Sequence, residues 1–268
     1  MPHIQNVRIG VRSINEIIQD VIDFMNNKGS AYFHIANLNP EIFTYAAKDG
    51  QYREILNNAD EILIDGIGIG ILAKIVGVKV GEKLAGTDLM TKLIDIANRK
   101  RKKVLLLGGF DNTSEKTAQF FQKRYPNLKI FFSKGAQNIK SETKEENRQV
   151  LDDIKKFRPD FLFIAYGPPW QERWIYKNKD RLNGIVCMGV GGSFNFFSNT
   201  LRAPSIIRSF ALEWLWRFIF EPKRFFKKIS GYIYFLIYSV FFSLIKRIKT
   251  ICFNLIKRTA IKINVFSK

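Results

Sequence analysis

Cysteine and histidine are nearly absent from this chain. Two cysteines, Cys187 and Cys252, and two histidines, His3 and His34, are all that 268 residues contain. Two distant thiols make neither a disulfide framework nor a zinc spacing, and two isolated imidazoles exclude a histidine-rich metal site. Cys187 lies in an apolar run and reads as a small core residue. His34 lies in a strand and reads as a core residue whose polar atoms are satisfied. Acid is also scarce: 24 Asp and Glu face 43 Lys and Arg, a net charge of +19. The beginning of the chain shows no positively charged segment running into an apolar core, so no secretory signal is read there and a cytoplasmic chain is expected. No G-x-S-x-G and no Walker lysine occurs, which removes two common hydrolase and nucleotidase signatures.

The excess base is concentrated. Residues 201–268 carry fourteen Lys and Arg against Glu213 and Glu221, so +12 of the total lies in the last quarter. A basic tail selects an anionic partner: nucleic acid, anionic lipid or a phosphorylated substrate.

Before that tail, apolar and amphipathic segments alternate. Ser13-Ile14-Asn15-Glu16 is a capping box that opens a helix to about Met25. Residues 31–36 form a β-rich run, and Asn39-Pro40 is an N-cap and first-turn pair. A single helix through the polar tract 48–60 is expected to reach a strand at 61–64. Helices near 70–76, 87–99, 114–124, 142–157 and 171–178 are interleaved with strands near 104–107, 128–132, 160–165 and 184–188. This rhythm predicts an α/β fold, a mainly parallel sheet flanked by helices in the Rossmann-like manner. The rhythm stops near Phe197. The remainder reads as a basic, aromatic, helical appendage. Its residues 229–245 are an uncharged run of seventeen with basic clusters at both ends, short of the ~20 residues a spanning helix usually needs. An in-plane interfacial helix is the preferred reading, with docking on the protein's own core second and a span third. The expected division is a catalytic core over 1–200, a helical appendage over 201–228 that covers the site, and a membrane-associating tail over 229–268.

Chemistry is expected where parallel strands end. Asp65 follows the apolar strand Ile62-Leu63-Ile64 and precedes Gly66, Gly68 and Gly70. That G-x-G-x-G spacing is not the dinucleotide fingerprint G-x-G-x-x-G, and no acidic residue closes a strand about 20 positions later. Asp65 then reads either as a helix N-cap or as a general base or substrate ligand. Gly108-Gly109, Gly167-Pro168-Pro169 and Gly189-Val190-Gly191-Gly192 mark three more strand ends, and together with the Asp65 loop they predict one shared cleft. No Asp-x-Asp occurs, so the commonest carboxylate pair that holds a metal against a nucleotide sugar is missing.

Seven segments in this order, "NLNPEIF" (37–43), "ADEILIDGIGI" (59–69), "KLAGTDLM" (83–90), "VLLLGG" (104–109), "PDFLFIAYGPPWQERWI" (159–175), "GVGGSFNFFS" (189–198) and "RAPSIIRSFALEWLWRFIFEPKR" (202–224), resemble the WecG/TagA/CpsF family of bacterial glycosyltransferases. The resemblance implies an inverting transfer of an N-acetylmannosamine-type sugar from a UDP donor to undecaprenyl-diphosphate-linked GlcNAc, in teichoic acid or related surface polysaccharide synthesis, with no cofactor and no metal. It implies Asp65 as catalytic base, Asn39 and Gln171 as substrate-binding residues with Glu172 beside the latter, and nucleotide contacts at Gly108, Gly109, Gly191 and Gly192. It also implies a basic appendage in which Arg202, Arg217 and Arg224 meet the lipid diphosphate. The family commonly has Thr at the position of Asn37, Arg at that of Lys83 and Asp at that of Asn195. Asn37 can still hydrogen-bond a sugar or phosphate, and Lys83 keeps the charge but not the bidentate fork. These changes bear on the choice of sugar, for which glucose and a uronic acid are the other donors considered.

The expected partners are thus the UDP-sugar, the polyprenyl-diphosphate acceptor and an anionic membrane surface, with the protein peripheral at the inner face of the cell membrane. Nucleic acid is not an expected partner, and the apolar tail stripe leaves a homo-oligomer open. Two other classes compete: a nucleotide-dependent oxidoreductase, which the glycine spacing argues against, and a nucleic-acid-binding scaffold, which accounts for the charge but not for the loops at the strand ends.

Overall fold

A computed structural model describes residues 1–27, 31–198, 233–237, 241 and 245. The chain opens with a small antiparallel hairpin, β1 (His3–Ile4) and β2 (Val7–Arg8), turned through Gln5 and Asn6 in left-handed conformations. Each arm of that hairpin is only two residues of strand. Next, α1 (Ile14–Asn26) carries the predicted capping box, with Ser13 accepting from the Glu16 N–H and Glu16 accepting from that of Ser13. Strand β3 (Phe33–Leu38) follows, two residues further along than the sequence suggested.

One expected helix is two. Helix α2 (Pro40–Lys48) ends at Asp49, and α3 (Gly50–Asn57) begins from it. Asp49 terminates the first helix and caps the second by accepting from the Tyr52 N–H at 3.0 Å. A short polar residue followed by glycine does both at little cost.

The remaining elements are β4 (Glu61–Ile64), α4 (Ile67–Val76), α5 (Gly86–Arg99), β5 (Lys103–Gly108), α6 (Thr113–Arg124), β6 (Lys129–Ser133), α7 (Lys144–Phe157), β7 (Phe161–Ala165), α8 (Trp170–Lys177), β8 (Val186–Gly189) and the single turn α9 (Asn195–Ser198).

Six strands pair in the order β4-β3-β8-β7-β5-β6, every pair parallel. Both faces are covered, as parallel sheets require. Ile35, Leu63, Leu106, Phe163 and Met188 pack under α1, α5 and α6. Their strand neighbours alternate to the other face. There Ala36, Leu38, Ile62 and Ile64 meet α2, α3 and α4, and Leu105, Leu107, Leu162, Ile164 and Cys187 meet α7 and α8. All carboxyl ends share one edge. There the chain turns one way from β5 to β6 and the other way from β7 to β8, the kind of reversal beside which open α/β sheets bind ligands.

His34 corrects one expectation. Its backbone N–H donates to Asp60 at 2.7 Å, but its Nε2 has no hydrogen-bond partner among the described residues. Burial first, and then nearby Arg8, push its pKa down from 6.5 to about 4. The imidazole is neutral in the fold, whereas the unfolded chain takes up a proton near pH 6.5. Its stabilising contribution is complete above that pH and is lost as pH falls towards 4, an expected loss of about 3 kcal/mol. Urea melts near pH 7 and pH 4 should show the chain losing about that much more than a His34→Gln variant.

Candidate active site

The parallel register fixes the first half of the site. Leu38 lies opposite Ile64, and the Asp65 N–H donates to the Leu38 carbonyl at 3.0 Å. Asp65 and Asn39 therefore leave adjacent strands side by side. Helix α4 begins at Ile67 with Gly66, at φ +83°, as its N-cap and with no side-chain cap. Gly66 thus holds the N-cap position of α4, one residue beyond Asp65. Asp65 is half-buried. Asn39 does cap its helix: Oδ1 accepts from the Ile42 N–H at 3.0 Å. That leaves its amide NH2 as the group to offer a substrate.

Lys83 joins them along the backbone. Ile64 and Lys83 form an isolated parallel bridge, and the Leu84 N–H donates to the Ile64 carbonyl at 3.1 Å. Lys83 is exposed, and its Nζ lies 3.1 Å from where a Cβ on Gly70 would stand. That glycine lets the ammonium run close along the first turns of α4. Asn37 sits deeper and is buried. Its Nδ2 donates to the Gly189 carbonyl at 2.8 Å, tying the end of β3 to that of β8, while Oδ1 has no partner among the described residues.

A second glycine-rich loop at the same edge of the sheet joins β5 to α6. Gly108 and Gly109 are at φ +83° and +86°, and Asp111 and Asn112 at +52° and +58°. A Cβ on Gly108 would come within 2.7 Å of the Tyr166 ring, and one on Gly109 would overlap the Thr113 hydroxyl. Only glycine satisfies both the conformation and the space. Phe110 is left 76% exposed at the loop tip. Asn112 precedes α6 without a side-chain cap bond, and Thr113 Oγ1 is buried without a partner among the described residues. A helix start with uncapped N–H groups suits an anion. Gly191 and Gly192 open the turn after β8. It is fixed by Ser193, which donates to the Val190 carbonyl at 2.7 Å and accepts from Thr87 at 2.9 Å.

Gln171 and Glu172 do not fit their expected role as substrate contacts. They are 1% and 0% exposed. Gln171 Oε1 accepts from the N–H groups of Gly167 and Gly191, its Nε2 donates to Glu172, and Tyr52 donates to the other carboxyl oxygen. Burial, the largest influence, pushes the Glu172 pKa up against the hydrogen bonds that lower it. A polar pair in the first turn of a helix resembles a solvated face. Gly191, 20 residues away, holds Gln171 inward and Tyr52, 120 residues away, holds Glu172, and no local pattern carries that information.

Arg202, Arg217 and Arg224 lie outside the described residues, as does most of the tail. Residues 233–237 are helical and lie on the core. Phe235 is buried in the cluster with Phe43 and Leu72, its ring edge-on to Phe43 at 5.6 Å. Lys48 Nζ sits 3.5 Å from the centre of the Tyr234 ring. A Cβ on Gly68 would stand 3.6 Å from Phe235. The tail thus touches α2 and α4, the two helices that begin beside Asn39 and Asp65. For this one turn, the docking alternative holds. No helix among the described residues is long and apolar enough to cross a membrane, and those residues contain no group of three His, Cys, Asp or Glu placed to hold a metal ion.

Known proteins share this sequence over most of its length. The family model described as "Glycosyl transferase WecG/TagA/CpsF family" matches residues 2–250. A Staphylococcus aureus (strain NCTC 8325 / PS 47) protein is 32% identical over 210 residues, covering 78% of this chain and 80% of its own. A Bacillus spizizenii protein is 35% identical over 206 residues, covering 76% of each. Both are named N-acetylglucosaminyldiphosphoundecaprenol N-acetyl-beta-D-mannosaminyltransferase.

Proposed function

The chain belongs to the WecG/TagA/CpsF family of glycosyl transferases, and from that premise we propose that it moves N-acetylmannosamine from a UDP donor to GlcNAc carried on undecaprenyl diphosphate. The acceptor hydroxyl attacks the anomeric carbon and passes its proton to Asp65. The bond from that carbon to the diphosphate breaks, and UDP leaves with its electron pair. In-line attack on an α-linked donor inverts the centre and gives the β linkage in the relatives' names. Charge builds on the leaving phosphate, and Lys83 and the N–H groups at the start of α6 supply donors towards it. Asn39 offers its amide to a hydroxyl of the substrate. Gly108, Gly109, Gly191 and Gly192 let the nucleotide approach the backbone closely.

The observation that carries the reading is the place of Asp65. It leaves a strand at the carboxyl edge of a parallel sheet, beside Asn39, with Gly66 taking over the helix start behind it. A general base needs that reach to an incoming alcohol. The basic tail supports a site of action at the inner membrane face, where a lipid-linked acceptor presents its sugar. The division into a core to about residue 200, an appendage and a tail belongs to the same reading.

A panel of UDP-sugars with a short-chain lipid-diphosphate-GlcNAc acceptor, run with and without chelator, tests it. UDP-N-acetylmannosamine should give the β-linked disaccharide in both conditions. Turnover with UDP-glucose or a UDP-uronic acid in its place would move the donor assignment. Loss of turnover in chelator would mean that a metal ion shares the work assigned to Lys83 and α6.

A further inference from the structure

Two adjacent side chains in the first turn of α8 are buried and carry polar groups. Their hydrogen bonds have a fixed direction. Backbone N–H groups only donate, so the oxygen of the Gln171 amide must face Gly167 at 3.1 Å and Gly191 at 2.9 Å. Its Nε2 then points at Glu172 Oε1, 2.8 Å away. Nε2 has only protons to give, so Oε1 accepts whether or not Glu172 is ionised, and any proton on that carboxyl belongs on the oxygen facing Tyr52, 3.1 Å away. Gly189 leaves room for this arrangement: a Cβ there would stand 2.5 Å from Gln171 Nε2.

The two N–H groups belong to different loops. Gly167 follows β7 and Gly191 follows β8, neighbouring strands at the edge where the site lies. No other described side chain accepts from both. Without Gln171, each loop would carry an unpaired amide close to the cleft, and nothing would hold their spacing. Glu172 keeps Gln171 from rotating its amide end for end. Helix α8 is held from behind by Tyr52 on Glu172 and by the ion pair of Arg173 with Asp49, which caps α3.

We propose that Gln171 and Glu172 are a positioning pair. Glu172 orients the Gln171 amide, and Gln171 sets the distance between the Gly167 and Gly191 loops that border the donor. The pair acts through those loops and does not itself touch substrate. The inference rests on the transfer reading only for its activity readout. Misplacement of about 1 Å at a reacting centre costs of order 10²-fold in rate, so a loop spacer outside the chemistry has a large effect. The titratable and charged groups around Glu172 are Tyr52 and Glu41, with the Arg173–Asp49 pair one residue along.

Three variants of the full chain test it. Gln171→Met retains the bulk and removes the hydrogen bonds. Amide exchange at Gly167 and Gly191 should rise together, by roughly tenfold or more, while the rest of α8 stays protected. Gln171→Glu still accepts from both loops but sets a second carboxyl against Glu172, and two such groups resist ionising together. Its kcat/KM for the UDP-sugar should fall roughly tenfold or more near pH 8 and recover near pH 6, as the pair takes up a shared proton. The exchanged pair, Gln171→Glu with Glu172→Gln, reverses donor and acceptor across the same gap. It should return to within about threefold of the unaltered chain and lose that pH dependence. Unchanged or uncorrelated exchange in the methionine variant, or an exchanged pair no better than Gln171→Glu, overturns the proposal. An unaltered chain that turns over no UDP-sugar sinks the transfer reading instead, while the exchange measurement still decides the pair.

Discussion

Asp65→Asn is expected to lower kcat by at least about 10²-fold, the low end of what a positioned general base contributes, while leaving the thermal midpoint nearly unchanged. The substitution keeps shape and polarity. Asp65 is half-buried, Asn can make most of the hydrogen bonds that a carboxylate accepts through its amide oxygen, and the backbone bond to Leu38 is untouched. An amide cannot accept the proton of the attacking hydroxyl, so the loss should fall on turnover. KM for the donor should move little, because the base meets the acceptor. The same logic separates Asp65 from its neighbour. Asn39→Ala removes a helix cap as well as an amide, so it should cost about 1 kcal/mol of stability in addition to activity. Steady-state kinetics beside thermal melts distinguish the two. If the asparagine variant at position 65 keeps full turnover, another group takes the proton, and the carboxylate at the end of β4 becomes a binding residue.

The sequence revealed what depends on neighbours in the chain. The Ser13–Glu16 capping box, the Asn39-Pro40 helix start and the alternating apolar strands gave the α/β architecture and placed Asp65 at a strand end, because each of these rests on a spacing of a few residues. The order of the strands did not follow from such spacings. β8 lies between β7 and β3, and its pairing with β3 spans more than a hundred residues. The break at Asp49-Gly50 was hidden because a polar residue that caps looks the same as one that merely faces water. The inward turn of Glu172 needed Tyr52 from α3, and that of Gln171 needed the loop after β8. The unpartnered Nε2 of His34 reflects packing that no periodicity encodes. Resemblance supplied the roles of Asp65 and Asn39, and the structure shows which of the carried-over residues stand together: Asn39, Asp65 and Lys83 at one strand pair, with Gln171 and Glu172 behind the wall.

Exchanging six tail cations for glutamine (Lys246, Arg247, Lys249, Lys257, Arg258 and Lys262) should reduce partitioning onto anionic vesicles by more than about 10²-fold. Each basic residue near an anionic leaflet contributes roughly 1 kcal/mol, and 1.4 kcal/mol is about tenfold in partitioning. With the turn at 233–237 docked on the core, charge rather than apolar burial should govern binding to such a surface. Phe235 is buried in the core, packed against Phe43, and does not reach lipid. Ile233, Ile237, Phe241 and Ile245, four residues apart, remain exposed with Leu236 beside them. That stripe is too narrow to replace six charges. Binding should therefore weaken in salt as the Debye length shrinks from about 8 Å, and neutral vesicles should bind both proteins equally weakly. A tail whose stripe closes a dimer behaves otherwise: the six-fold variant would sediment with vesicles as the unaltered chain does, and the unaltered chain would run as a dimer in sedimentation velocity. Because the same turn rests on α2 and α4, where Asn39 and Asp65 begin, an anionic surface that takes up the tail acts on the very helices that frame the site. Activity on a lipid-linked acceptor in vesicles should fall with partitioning in the variant, while activity on a short-chain soluble acceptor should be retained.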